Sequence, residues 1–289
     1  MKVSTSAAVT CALVLSVSVA SAQTAADGAA RPANSSTAAS ATAAPAPEAA
    51  PAKPYTITTG LDFTSAYLFR GIRQHSGGTI AQPYGDIAYT KNNVTFDFGT
   101  WNSVHSTAPA PSGNYYERDW FGSVVFTTGK LKPGLLYTSY TSPADSFATV
   151  EELAGTLAVD DSKSPFPLSP KIVLAFELGD GQADGGTGKG TYLELGVRPA
   201  VKLAPKLTLS IPVKTGLSVH NYYELDGKDD HFGYFDTGFS LSVPLVSGKS
   251  GTLEVHGGVD FMMLGDHLKA INDGDGFKPV TLAGFTYSY

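Results

Sequence analysis

Carboxylates recur in one phase along most of the chain. Asp62, Asp86, Asp97, Asp119, Glu152, Glu177, Glu194, Asp236, Glu254 and Asp260 share it, and of the cations only Arg70, Arg198 and Lys214 fall in the same phase. Carboxylates gathered on one confined surface attract cations and repel anions. Ser103 and His105 stand two apart, so an extended chain presents both on one side, and such a pair can activate a nucleophile. No acyl-hydrolase motif surrounds them, and they read as a hydrogen-bonded pair at a rim. Asp180–Gly190 (DGQADGGTGKG) contains a Gly-Lys step, but a phosphate loop needs Gly at 183 and Ser or Thr at 190, where this chain has Ala183 and Gly190. Asp226, Asp229 and Asp230, and Asp273 with Asp275, lack the closing Glu of a calcium loop and read as solvated loops. His220, His231 and His267 lack ligand spacing. The chemistry expected is that of a charged surface, with no catalytic residue, no metal and no cofactor.

The elements that must carry these residues are strands. Phe96 and Phe98 alternate with Asp97 and Gly99, Leu193, Leu195 and Val197 with Glu194, Gly196 and Arg198, and Val255 and Val259 with Glu254, His256, Gly258 and Asp260. A period of two sends one set to each face of a sheet. The polar face is rich in Gly, Ser, Thr and carboxylates, which suits a wet interior. Tyr67, Phe69, Tyr89, Trp101, Trp120 and Tyr137 sit near strand ends, where a membrane barrel carries its aromatic girdles. Twelve segments follow the pattern, at 57–69, 80–90, 94–103, 117–128, 134–141, 151–159, 171–178, 191–198, 206–219, 233–245, 252–263 and 279–289. Short connections alternate with long polar ones. Two features resist twelve and leave ten or fourteen open: the long 160–170 connection on the short side, and Pro212 inside a strand that has no free edge.

Composition agrees with export. Residues 1–22 read as a signal peptide, with Lys2, an apolar run over Ala7–Val19 and a small-residue cleavage site ending at Ala22. Residues 23–54 are an Ala/Pro-rich disordered linker with too few large side chains to offset chain entropy. Residues 55–289 form the folded part. The one cysteine, Cys11, lies in the leader, so disulfides are excluded from the rest. A net charge of −6 argues against nucleic acid as a partner. No apolar run reaches the ~20 residues of a membrane-crossing helix, which leaves a closed barrel as the way to span.

Tyr67-Leu68-Phe69-Arg70-Gly71-Ile72 followed by Ile80-Ala81-Gln82-Pro83, with Gly99-Thr100-Trp101-Asn102-Ser103 and Phe285-Thr286-Tyr287-Ser288-Tyr289, resembles the TorF-type porins. That resemblance implies an outer-membrane barrel with a porin-like role. It also implies that the terminal aromatics Phe285, Tyr287 and Tyr289 are a signal to the barrel-assembly machinery. The expectation is therefore an all-β, antiparallel transmembrane β-barrel in the bacterial outer membrane. Its partners would be outer-membrane lipid and lipopolysaccharide, and it would pass small hydrophilic solutes with a preference for cations. A plugged structural or surface-interaction barrel is one alternative. An outer-membrane lipid hydrolase is the other, although Ser103 and His105 fall in the inward phase, away from lipid.

Overall fold

The computed structural model describes residues 54–107 and 113–289; the leader at 1–22 and nearly all of the linker at 23–54 lie outside them. Strands β1 (Tyr55–Phe69), β2 (Ile72–Lys91), β3 (Val94–His105), β4 (Tyr115–Phe126), β5 (Leu131–Thr141), β6 (Val150–Val159) and β7 (Lys171–Glu177) pair antiparallel in sequence order. They continue into β8 (Thr191–Val197), β9 (Ala200–Ala204), β10 (Leu207–Ser210) and β11 (Val213–His220). A two-stranded hairpin, β12 (Glu224–Leu225) and β13 (Lys228–Asp229), stands apart in a loop. The chain then returns through β14 (Phe232–Gly248), β15 (Gly251–Leu264), helix α1 (Asp266–Ile271) and β16 (Phe277–Ser288). β16 pairs with β1 and β11 with β14, so the sheet closes on itself.

Counted as wall strands, β8 with β9 is one staggered run and β10 with β11 another, which gives twelve among the described residues. The breaks fall at Arg198-Pro199 and Ile211-Pro212. Both β10 and β11 pair with β14, at Ser240–Ser242 and at Phe232–Thr237. Pro212 is thus accommodated by interrupting its strand: it has no N–H to give the ladder, and its carbonyl accepts from the Gly238 amide and the Thr237 hydroxyl. The long 160–170 connection is real and compact. Asp161 accepts from the Leu168 and Ser169 amides, and Asp160 is held down to about 2 by the Ser162 hydroxyl and amide and by Lys132.

The outer face is apolar and exposed. Ile57, Phe63, Ile87, Phe96, Phe98, Leu135, Phe239 and Phe285 all point away from the barrel axis. In water that band would exceed the apolar patches soluble proteins tolerate, whereas in lipid it is solvated. No helix among the described residues is long and apolar enough to cross a membrane. Closure pairs the backbone of the wall internally, which is what a chain needs to cross a bilayer as strands.

Three aromatics expected in the girdles lie inside instead. Tyr89, Trp120 and Tyr137 face outward, but Tyr67 and Phe69 are buried and Trp101 packs against Tyr67 at 5.3 Å. Register shifts at Thr64/Ala66 and Tyr67/Leu68 turn the end of β1 inward. Helix α1 lies in the long connection between β15 and β16; it seats Leu268 over Gly71, where φ is +86° and a Cβ would stand 2.5 Å from Leu268 Cδ1.

The barrel should resist SDS and run at an anomalous mobility until boiled, because closure through β1–β16 and β11–β14 leaves, among the described residues, only the short β9 open on one side for detergent to start unzipping. Co-migration of boiled and unboiled protein would count against closure.

Candidate functional site

The interior is layered. Nearest the short connections, Tyr84 crosses over Gly60 to bond the Thr286 hydroxyl at 2.6 Å, and a Cβ at position 60 would stand 2.2 Å from its hydroxyl. One layer inward, Asp62 meets His256 Nε2 at 2.9 Å. These two flank Gly284 in one cross-strand row, and they can touch because glycine leaves the space between them empty. His256 was missed as a site residue, although its phase placed it on this face. Lys214 lies 3.7 Å from Asp236 and near the Tyr234 ring. Glu194 accepts from the Tyr192 and Tyr234 hydroxyls. Asp97 is buried, with the Phe98 amide at its carboxyl group and the half-buried Asp86 as a neighbouring charge.

Toward the end with long connections, the interior is filled. Arg70 occupies the two-residue turn between β1 and β2 with φ +47°, a left-handed position that costs a residue with a Cβ roughly 1 kcal/mol or more. What holds it there is a buried fork. Its guanidinium donates to both Glu152 oxygens at 2.7 and 2.9 Å and also to the Tyr222 hydroxyl. It lies 4.0 Å above the Tyr192 ring. Tyr140 and Tyr222 both donate to Glu152, so each partner of the pair is hydrogen-bonded beyond the pair itself. Arg70 and Glu152 are each 2% exposed. Tyr223 donates to the Arg70 carbonyl, which draws the loop after β11 into the barrel.

The remaining loops are tied over this layer. Glu177 accepts from the Ala183 and Gly190 amides at 2.7 and 2.6 Å, folding the Asp180–Gly190 segment back on itself. Asp184 accepts from the Glu224 and Gly186 amides; burial pushes its carboxyl up and those two amides pull it back. Asp229 accepts from the Ser218 hydroxyl and the Asn221 amide, holding the turn of its own loop. Among the described residues no group of three or more metal-binding side chains comes together.

The other sequence-derived candidates distribute as follows. Asp119, Glu152, Glu177 and Asp260 are buried, and Glu254 is half-buried with Thr286 as its cross-strand partner. Arg198 is exposed at the break between β8 and β9, where strand phase ends. Past the same turn as Arg70, though not among those candidates, Arg73 of β2 lies outside the layer, 2.5 Å from Asp273. Ser103 and His105 are hydrogen-bonded at 2.9 Å and almost wholly buried inside the barrel, away from the lipid a lipid hydrolase would have to reach. Phe285 and Tyr289 point outward, and the Tyr289 backbone pairs with Ile57.

Arg70→Ala should destabilise the barrel by ~3–5 kcal/mol, because it leaves Glu152 charged and buried. Arg70→Met with Glu152→Met should recover much of that loss, since it removes both charges together. Urea unfolding of protein refolded into vesicles measures both; equal losses for the single and double variants would disprove the pairing.

A family model described as "Bacterial protein of unknown function (Gcw_chp)" matches residues 48–161. Comparison with curated proteins gives no match. Among solved structures the chain is similar to the NanC porin, at 10% identity and a TM-score of 0.47, covering 80% of this chain and 98% of that one. It is also similar to an outer membrane channel from Pseudomonas putida F1, at 12% identity and a TM-score of 0.46, covering 84% and 97%. The translocator domain of the autotransporter NalP from Neisseria meningitidis aligns at 13% identity and a TM-score of 0.37, covering 81% and 87%. These likenesses concern barrel architecture alone.

Proposed function

We propose that the protein is a porin-like outer-membrane channel that passes small hydrophilic solutes and favours cations. The observation that supports this most is the sign of the interior. Asp62, Asp97, Asp119, Glu152, Glu177, Glu194, Asp236 and Asp260 are buried within the barrel, while Arg70 and Lys214 are each set against a carboxylate. A narrow interior with low-dielectric walls and one excess sign enriches counter-ions. On this reading the leader is removed after Ala22, the apolar band meets outer-membrane lipid and lipopolysaccharide, and the assembly machinery reads Phe285, Tyr287 and Tyr289. The resemblance to TorF-type porins points the same way.

A second reading, a plugged structural barrel, is favoured by one specific feature. Arg70, Glu152, Tyr192 and Tyr222 fill the interior at one level with almost no exposure. Twelve strands sit between the barrels that side chains fill and those that keep an aqueous pore, so strand number does not choose between the readings.

Planar-bilayer recording separates them. A channel gives discrete conductance, with a reversal potential on the potassium side across a potassium chloride gradient. Asp86→Asn with Asp97→Asn should move that potential toward zero without changing gel mobility. Tyr222→Ala should raise the conductance if the Arg70 layer is the constriction. A reversal potential favouring chloride sinks the cation preference, and silence from heat-modifiable protein leaves the plugged barrel.

A further inference from the structure

Under the loops at the end with long connections lies a cavity of about 50 Å³. By the room one water needs, that is on the order of three to five small heavy-atom groups. Three aromatic rings line it, Phe69 from the end of β1, Tyr140 from β5, and Phe147 from the connection after β5. Its polar lining is Glu117, Gln74 and Gln182.

The fate of each polar group sets what the cavity can hold. Gln74 Oε1 already accepts from the Tyr116 hydroxyl at 2.6 Å, and the Tyr140 hydroxyl is committed to Glu152. Gln182 gives its amide hydrogen to the Asp180 carbonyl, while its Oε1 is buried with no partner. Glu117 is 3% exposed and hydrogen-bonded to Tyr67 and to Asp119, the second a carboxyl like itself. No cation lies within ion-pair distance of it among the described residues. Arg118, its neighbour in sequence, points the other way and lies 5.9 Å over the outward-facing Trp120 ring. Arg70, one layer further in, is spent on Glu152.

The carboxyl of Glu117, shared with Tyr67 and Asp119, and the empty Gln182 carbonyl acceptor lie beside three aromatic rings. Water could occupy the cavity but would leave the aromatic walls without a matching partner. A cation with N–H groups would answer both the Gln182 carbonyl and the Glu117 carboxyl, and its attraction to the aromatic rings would add to theirs. The alkyl part of such a cation would take the apolar walls. The volume admits a head group of a few heavy atoms and no more.

We propose that this cavity binds the ammonium head of a small primary amine, at the loop end of the interior. Its role as an entry site rests on the channel reading above, whereas binding itself does not. Potassium and sodium carry the charge but not the directed N–H donors or the alkyl body, and tetramethylammonium carries the charge without the donors. The preferred order is therefore ethylammonium, then tetramethylammonium, then potassium.

Calorimetric titration of refolded full-length protein with ethylammonium chloride tests the site. Saturable binding is expected, at least tenfold weaker in Glu117→Gln and several-fold weaker in Phe147→Leu, with heat-modifiable mobility retained as proof of folding. If Glu117→Gln fails to fold, Gln182→Leu replaces it, and a loss of affinity is again expected. No binding, or binding unchanged in folded variants, overturns the proposal. Equal affinity for potassium and ethylammonium overturns it as well, since a plain acidic surface would behave that way. Protein that binds ethylammonium but passes no current keeps the site and loses the channel. Protein that conducts with cation preference but does not bind keeps the channel and loses the site.

Discussion

Everything in this molecule follows from the need to pair backbone N–H and C=O groups where water is absent. A sheet with a free edge cannot meet that need in lipid, so β1 must find β16 and β14 must find the broken run of β10 and β11. Closure then assigns every residue to one of two solvents. The outward positions face hydrocarbon and take Phe, Leu and Ile. The inward positions face a space that the wall itself keeps narrow, and there carboxylates, hydroxyls and glycines accumulate. The two proline interruptions obey the same rule. Each removes a donor from the ladder and the strand breaks there; at Pro212 β14 continues along both fragments, whereas at Pro199 β8 pairs with β11 and β9 with β10.

The narrowness of the interior makes its charges interdependent. Asp62 reaches His256 across Gly284, Lys214 reaches Asp236, and Arg70 reaches Glu152. Only the last is forked, aromatic-backed and hydrogen-bonded on both sides, and it gathers elements distant in sequence. Arg70 comes from the first hairpin, Glu152 from β6 and Tyr222 from the loop after β11. A buried pair of this kind contributes little net stability compared with apolar packing, but breaking it is expensive. We read it as a specificity device that decides where the loop after β11 settles, at the cost of a left-handed backbone at Arg70.

Much of this was legible from spacing. The alternation of Phe96 and Phe98 with Asp97 and Gly99 assigns faces correctly, because a period of two survives wherever a strand is regular. The same logic put His105 and Ser103 inside. It failed where the strand is irregular. Tyr67 and Phe69 keep the outward phase in the sequence, yet two register shifts in the first hairpin bring them in. Trp101 carries the inward phase, and its aromatic character alone suggested a girdle. Helix α1 offers too few residues for a helical period to declare itself. The Asp62–His256 contact joins positions 194 apart in sequence, and it depends on an absent side chain at Gly284, which no local pattern reports.

The buried Arg70 layer also explains why the two ends of the interior differ in chemistry. On the side of the short connections, the carboxylates lie on regular strands and have His256 and Lys214 within reach. On the loop side, Glu117 and Asp119 sit side by side above a layer whose own cation is already committed. Inward from the loops the interior therefore runs from this carboxyl pair to a layer that is neutral in sum and densely packed. On the channel reading proposed above, Tyr222 is the side chain of that layer a solute would have to displace, because it hydrogen-bonds both Arg70 and Glu152.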